Sequence, residues 1–204
     1  MSLFIVFEGG DGAGKSTQAG LLADWLEGVG CTVTRTFQPG HSRIGAVLRQ
    51  LLLDPASGPL SPRAEALLYA ADKAQHADEV IRPALARGEV VVSDRYVDSM
   101  IAYQGAGRRL DPDEVAKLAW WAVGALPPDL TVLLDAAVED GVGAKTDRDR
   151  LEQAGEAFHE RVRSFFLALA AAAPERYLVL PARRPVAELA AAVRTQVAAR
   201  LGAP

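Results

Sequence analysis

The sequence predicts a three-layer α/β fold, in which helices cover both faces of a parallel β-sheet. Five short apolar runs alternate with longer segments whose apolar residues recur at helical spacing. Strands that alternate with helices favour parallel strands joined by right-handed crossovers. Four of the five runs are apolar on consecutive residues, as strands covered on both faces require. The predicted strands are Leu3–Phe7, Thr32–Thr36, Val90–Ser93, Leu130–Leu134 and Tyr177–Leu180.

The individual elements carry their own signals. Thr32–Thr36 is the most polar predicted strand, so we expect it at an edge of the sheet. Asp111 starts a helix most clearly, because it can cap the helix while Pro112 suits the first helical position and Glu114 can reach back to the cap. Six helices are predicted. They run from after Lys15 to Gly28 or Gly30, over Ile44 to Leu52, from Ser61-Pro62 towards Gly88 with a kink before Pro83, onwards from Asp111, near Glu152–Ala172, and near Pro185–Leu201.

Length and composition restrict the class of protein. Half of the 204 residues are hydrophobic, which fits one domain (1–204) with a substantial core. The formal net charge of −4 disfavours a nucleic-acid partner, and the single cysteine, Cys31, excludes an internal disulfide. The first residues lack the basic stretch of a signal peptide, and no apolar run approaches the roughly 20 residues of a membrane span. We therefore expect a cytoplasmic protein without a membrane partner.

A phosphate-binding loop is the strongest motif in the chain. Gly9-Gly10-Asp11-Gly12-Ala13-Gly14-Lys15-Ser16, followed by Thr17, matches G-x-x-x-x-G-K-[ST] between a predicted strand and a predicted helix. The glycines let backbone N–H groups surround phosphate oxygens, and the helix N-terminus adds partial positive charge. Lys15 supplies a cation for the β- and γ-phosphates, and Ser16 offers a hydroxyl to Mg²⁺. The motif predicts binding of ATP or GTP, but motors, GTPases and kinases all share it.

Other residues favour a kinase among these classes. The chain contains no asparagine, so it lacks the Asn-Lys-x-Asp motif with which GTPases recognise guanine. Its third strand ends in Asp94-Arg95, with a cation where a motor ATPase would need a water-activating glutamate. Asp94 is predicted to orient Mg²⁺, and Arg95 to bind the phosphate of a second substrate through its planar fork. A local ion pair at the strand end is the alternative.

Four segments resemble thymidylate kinases, and together they span nearly the whole chain. They are Phe7–Thr17, the helix Leu67–His76, the segment from Asp94-Arg95-Tyr96 through Tyr103-Gln104-Gly105 to Arg108, and Asp149–Gln153. The resemblance implies a P-loop NTPase fold with a five-stranded parallel sheet, a homodimer, and transfer of the ATP γ-phosphoryl group to dTMP with Mg²⁺. It also implies a short lid around residues 141–152.

The resemblance further implies roles for individual residues. Arg95 is expected on the dTMP phosphate, Tyr69 stacked on thymine, and Lys73 against the base, where the family more often has an arginine. Tyr103 is expected near the sugar and Gln104 near the base and phosphate. The further substrate-side residues are Arg49 and Ser99, and the catalytic residues are Lys15, Arg95, Arg148 and Arg150.

The chain departs from the family pattern beside the second strand. The bacterial segment Thr-Arg-Glu-Pro-Gly-Gly appears here as Thr36-Phe37-Gln38-Pro39-Gly40-His41. Two other hypotheses remain open: a P-loop kinase for another nucleotide or a deoxynucleoside, and a non-enzymatic ATP-binding switch. The three histidines show no spacing typical of a metal site and are expected on the surface or in loops; they are His41, His76 and His159.

Overall fold

A five-stranded parallel sheet forms the centre of the molecule. The structure is a computed structural model, and it describes residues 2–137 and 150–202. The strands are β1 (Leu3–Gly9), β2 (Val33–Phe37), β3 (Val90–Asp94), β4 (Leu130–Asp135) and β5 (Tyr177–Pro181). They are ordered β2-β3-β1-β4-β5. This arrangement confirms the predicted fold class.

The described helices lie between successive strands, except that the last one follows β5. In chain order they are α1 (Lys15–Gly28), α2 (Arg43–Leu53), α3 (Pro62–His76), α4 (Arg82–Ala86), α5 (Val97–Met100), α6 (Pro112–Ala122), α7 (Glu156–Ala172) and α8 (Val186–Leu201). A π-helical turn, Ala77–Ile81, joins α3 to α4 just before Pro83, close to the predicted kink. A second π-helical segment, Ile101–Gly107, continues α5. Within the described ranges, every helix is too short or too polar to span a membrane.

Apolar side chains bury both faces of the sheet. On one face Phe4 and Val6 of β1 pack in a cluster with residues of α3, α6 and α7. On the other face Leu3, Ile5 and Phe7 pack with residues of α1 and α8. Alternate residues of one strand therefore serve opposite cores, which explains why β1 is apolar throughout.

The two edge strands had different sequence signals. The polar strand β2 lies at an edge, as predicted. β5 lies at the other edge, and its residues are apolar on consecutive positions like those of the central strands. Val179 is 43% exposed, and Leu180 is the one buried residue of β5. A consecutive apolar run does not show whether a strand has one neighbouring strand or two, so the edge position of β5 was not predicted.

The carboxyl ends of three neighbouring strands lie close together in the sheet. Asp94 pairs in register with Phe7 on one side and with Phe37 on the other. Beyond the strands, the Arg95 N–H donates to the Phe7 carbonyl at 2.9 Å, and the Gln38 N–H donates to the Asp94 carbonyl at 2.9 Å. The carboxyl ends of β1, β2 and β3 thus bring the predicted phosphate loop and Asp94-Arg95 together, as expected for a ligand site in an open α/β sheet.

Candidate active site

The phosphate loop connects β1 directly to α1. Gly9 has φ +137°, and a Cβ there would lie 2.4 Å from the carbonyl oxygen of Leu134 on β4. Gly14 has φ +90° and precedes α1, whose N-terminus no side chain of the described residues caps. The first N–H groups of α1 are therefore available to an anion, as the motif predicts.

Lys15 lies folded over this loop. Its side chain is buried, and Nζ donates to the Gly10 carbonyl at 2.6 Å. Burial and the charge of Arg95 lower the pKa of Lys15 to about 8, against the opposing effect of Asp11 and Asp94. The ammonium is held beside the same backbone that offers N–H groups to phosphate.

The two predicted Mg²⁺ residues meet at the start of α1. The Ser16 hydroxyl donates to Oδ2 of Asp94, which ends β3. A hydroxyl and a carboxylate are the hard oxygen ligands that Mg²⁺ prefers, and Ser16 is exposed. This pair fits a magnesium ion that retains most of its water ligands.

Arg95 forms the centre of a charged cluster. Its guanidinium donates to Asp11 Oδ1 at 2.6 Å, to Ser99 Oγ at 2.9 Å, to the Gly9 carbonyl at 3.1 Å and to the Tyr103 hydroxyl at 3.3 Å. Arg95 has φ +70°, a conformation that is uncommon outside glycine and is often found at functional sites. These contacts hold the guanidinium beside the phosphate loop.

Asp11 links this cluster to the phosphate loop. Its carboxylate accepts from Arg95 and, through Oδ2, from the Tyr103 hydroxyl at 3.0 Å. Burial alone would raise the pKa of Asp11, but the charges of Arg95 and Lys15 outweigh burial and lower it to about 2. Asp11 is therefore an anion that orients two predicted substrate-binding side chains.

Glu8 stabilises the charged cluster around Arg95, and the sequence analysis did not predict this role. It is fully buried, and its carboxylate accepts from the backbone N–H groups of Tyr96 and Ser99 at 2.8 and 3.1 Å, and from the Ser99 hydroxyl at 2.5 Å. These bonds fix the turn that carries Arg95. The available signal was an acidic residue at the end of a continuous apolar strand.

The acceptor pocket is a cavity beside Arg95, and it brings together the residues that are predicted to bind the second substrate. Their side chains all line one cavity, which Asp11 and Gln38 also line. The predicted residues are Arg49, Tyr69, Lys73, Arg95, Ser99, Tyr103 and Gln104. A second cavity runs along the phosphate loop and shares four lining residues with the first: Asp11, Gln38, Arg49 and Arg95. The two cavities therefore adjoin at the charged cluster.

Arg150 bonds to Glu65 of α3, whereas Arg95 bonds to Asp11 of the phosphate loop. Arg150 donates to Glu65 Oε2 at 2.6 Å and to the Leu52 carbonyl at 3.0 Å. Glu65 is buried and also accepts from Gln104 at 3.1 Å and from both Nε and a terminal nitrogen of Arg108. Sequence reasoning did not identify Glu65. Arg148 and most of the predicted lid lie outside the described residues.

Two histidines differ from expectation. His76 is fully buried and His159 is 6% exposed, so the prediction that they lie on the surface or in loops was wrong. Within the described residues, no group of three or more histidine, cysteine, aspartate or glutamate side chains has the arrangement of a metal site. His76 instead belongs to a polar network behind the acceptor pocket.

Comparison with known proteins gives one consistent match. A sequence model of the family "Thymidylate kinase" matches residues 7–193. Thymidylate kinase of Cutibacterium acnes is 60% identical over 195 residues, covering 96% of each chain. That of Clavibacter michiganensis subsp. michiganensis is 54% identical over 205 residues, covering 98% of this chain and 97% of the other. The crystal structure of thymidylate kinase from Ehrlichia chaffeensis has a TM-score of 0.80 at 29% identity, covering 96% of this chain and 98% of that chain.

Proposed function

The chain belongs to the thymidylate kinase family, and we propose that it transfers the γ-phosphoryl group of ATP to dTMP to give dTDP. The observation that carries this proposal is the junction of two cavities at Asp11 and Arg95. One cavity follows a phosphate loop, and the other holds the aromatic and polar groups that suit a nucleoside. A phosphate of each substrate can then approach the same charged cluster.

The donor side needs little covalent chemistry from the protein. The loop from Gly9 to Thr17 supplies N–H groups and the Lys15 ammonium, which stabilise negative charge on the transferring group. The acceptor is already an anionic phosphate oxygen, so no strong general base is required. Catalysis then consists of positioning and charge stabilisation.

Ser16 and Asp94 are the residues that would hold Mg²⁺. Their contact supports this assignment because it places a hydroxyl and a carboxylate side by side at the end of the phosphate loop. The ion would neutralise negative charge on the donor phosphates. Asp94 would act through coordinated water.

The acceptor pocket has groups for each part of dTMP. Arg95 supplies a guanidinium for the phosphate, and Asp11 and Ser99 hold it in place. Tyr69 supplies an aromatic ring for the base, and Lys73 supplies a donor. We assign Tyr103, which lines the same pocket, to the sugar.

We assign the remaining positive charge to the lid arginines, Arg150 and Arg148. The phosphate loop between Gly10 and Lys15 holds no arginine, so a second cation must come from elsewhere. Arg150 is bonded to Glu65 in this structure. Its proposed catalytic role therefore requires that it exchange Glu65 for the transferring phosphoryl group.

One coupled assay tests the function. Release of ADP would be measured with dTMP, dUMP, dCMP, dGMP and thymidine in turn. We expect the highest kcat/KM with dTMP. Comparable turnover of thymidine would identify a nucleoside kinase instead, and binding of ATP without acceptor-dependent ADP release would identify a switch.

We propose that the active form is a cytoplasmic homodimer. Apolar side chains are exposed on adjacent helices: Ile44 (51%), Val47 (60%) and Leu51 (45%) on α2, and Leu67 (58%) on α3. Burying such a group of neighbouring apolar side chains favours association. Val47→Glu should convert a dimer to a monomer in sedimentation velocity, and a wild-type chain that sediments as a monomer contradicts the proposal.

A further inference from the structure

A chain of four buried polar side chains runs from strand β2 to the wall of the acceptor pocket. Thr36, Gln38, Lys73 and His76 are each at most 6% exposed. Lys73 Nζ donates to Gln38 Oε1 at 2.7 Å, and Gln38 Nε2 lies 2.7 Å from His76 Nδ1. His76 Nε2 in turn bonds to Thr36 Oγ1. The four groups form one continuous hydrogen-bond chain.

The ammonium at one end sets the direction of every bond in this chain. Lys73 has only hydrogens to offer, so the amide atom that faces it must be the oxygen of Gln38. The amide nitrogen then faces His76 and donates, so Nδ1 accepts and Nε2 carries the ring hydrogen. Burial, with the charges of His41 and Lys73, lowers the pKa of His76 to about 3, so the ring is neutral at physiological pH. The network thus has a single consistent arrangement.

Lys73 retains one N–H for a ligand. The Gln38 oxygen and the Tyr96 carbonyl, both at 2.7 Å, accept two of its three hydrogens. No further acceptor for Lys73 lies in residues 2–137 or 150–202, although the side chain lines the acceptor pocket. Both acceptors are neutral, and the neighbouring Asp72 directs Oδ1 to the Gly40 N–H instead. The ammonium is therefore a positioned donor to which no carboxylate of the described residues bonds directly.

We infer that Gln38 and His76 are positioning residues for the acceptor's base. They hold the Lys73 ammonium so that its remaining N–H meets a base carbonyl oxygen, which favours a keto base over one that carries an amino group at that place. The inference rests on the proposed function, because it takes the base of a pyrimidine monophosphate to occupy this pocket. A neutral glutamine is essential to it, since a carboxylate would pair with the ammonium and weaken its donation to the ligand.

The test is a double-mutant cycle with two acceptor nucleotides. Gln38→Met removes the bond to Lys73, and Lys73→Met removes the ammonium itself. We expect Gln38→Met to raise the KM for dTMP about tenfold, as for the loss of a hydrogen bond to a charged group, with kcat within about twofold of wild type. The kcat/KM for dCMP should change less than about threefold, because cytosine has an amino group in place of one carbonyl. In the Lys73→Met background, Gln38→Met should have little further effect.

Matched controls separate positioning from a general structural defect. Gln18→Met makes the same change at another buried glutamine, whose Nε2 donates to the Val186 carbonyl at 3.0 Å outside both cavities. It should leave the ratio of kcat/KM for dTMP to that for dCMP unchanged. His76→Leu should reproduce the Gln38→Met phenotype, whereas His76→Gln should restore the ratio because its amide can both accept from Gln38 and donate to Thr36.

The outcomes are decisive in either direction. Equal losses of kcat/KM with dTMP and dCMP would overturn the inference. So would an effect of Gln38→Met that is as large in the Lys73→Met background as in the wild type. If Gln38→Met does not fold, Gln38→Glu is the second variant. Its carboxylate can accept from Lys73 and from His76 when the ring hydrogen is on Nδ1. Gln38→Glu should still lower the ratio of kcat/KM for dTMP to that for dCMP. An unchanged ratio in Gln38→Glu overturns the inference too. A wild-type chain that does not phosphorylate dTMP would instead overturn the proposed function.

Discussion

Replacing Arg95 by alanine and by glycine separates its role in binding from its role in stability. Both changes remove a guanidinium that is bonded to Asp11, Ser99, Gly9 and Tyr103. A charge-assisted phosphate contact is worth about 1.5–3 kcal/mol, which corresponds to a loss of about 10- to 140-fold in dTMP affinity. The loss should be at the upper end, because Asp11 then keeps its negative charge near the phosphate without the arginine. Both variants should lose dTMP affinity to a similar extent.

Their stabilities should differ. Arg95 has φ +70°, which costs a residue with a Cβ about 1–2 kcal/mol and costs glycine almost nothing. Arg95→Ala keeps that strain and loses the contacts that offset it. Arg95→Gly loses the same contacts but relieves the strain. We therefore expect the glycine variant to unfold about 2–4 °C above the alanine variant for each kcal/mol of relief.

Arg109 provides a matched control for both effects. It also has positive φ, at +58°, but it is exposed and lies outside the two cavities of the candidate site. Glycine should again exceed alanine in melting temperature at this position, with dTMP affinity unchanged. Titration calorimetry with dTMP and thermal unfolding of all four variants supply the data. If Arg95→Ala binds dTMP within about threefold of wild type, Arg95 is only a structural ion-pair partner.

Three further predictions concern other groups of the site. Lys15→Ala should lower turnover of dTMP by about 10²–10³-fold without changing the circular dichroism spectrum, and near-normal turnover would contradict its role at the transferring phosphate. Arg150→Ala should lower kcat about tenfold or more with little change in the dTMP KM, and Arg148→Ala should do less; if both keep more than about half of the wild-type kcat, neither is the catalytic cation. Burial lowers the pKa of His76 to about 3. Below about pH 6.5 the unfolded chain therefore binds a proton that the folded protein does not. The free energy of unfolding should then fall by up to about 1.4 kcal/mol for each pH unit. Urea unfolding at about pH 7 and about pH 5 should show a smaller loss for His76→Gln than for wild type, and equal losses would refute this assignment.

Local patterns were sufficient to predict the central part of the molecule. Each predicted strand starts within one residue of the observed strand, because a run of apolar residues next to a turn signal is a local property. The contact between Ser16 and Asp94 also follows from a general rule, since both lie at the carboxyl edge of a parallel sheet. The family resemblance then selected residues that the structure places around one pocket.

Contacts between distant helices could not be predicted in this way. Glu65 lies 43 residues from Arg108 and 85 from Arg150 in the sequence, and a glutamate on a helix ordinarily predicts a solvated face. His76 lies at a predicted helix end, and only the structure shows that it is buried and bonded to Thr36 of β2 and to Gln38. A polar residue gives no sign of its burial until its partners are known, because the same side chain satisfies its hydrogen bonds equally well in water.

The adjacent carboxyl ends of β1, β2 and β3 limit how the residues of the candidate site can change during evolution. The phosphate loop, Gln38 and Arg95 leave the sheet from neighbouring strands, whose spacing is about 4.8 Å and is set by backbone hydrogen bonds. Side-chain replacement does not alter that spacing. Changes in α2, α3 or the π-helical segment can therefore alter which base and sugar fit, while the separation between the phosphate loop and Arg95 stays constant. Substitutions can therefore change how base and sugar are recognised without moving the backbone that carries the phosphate loop and Arg95.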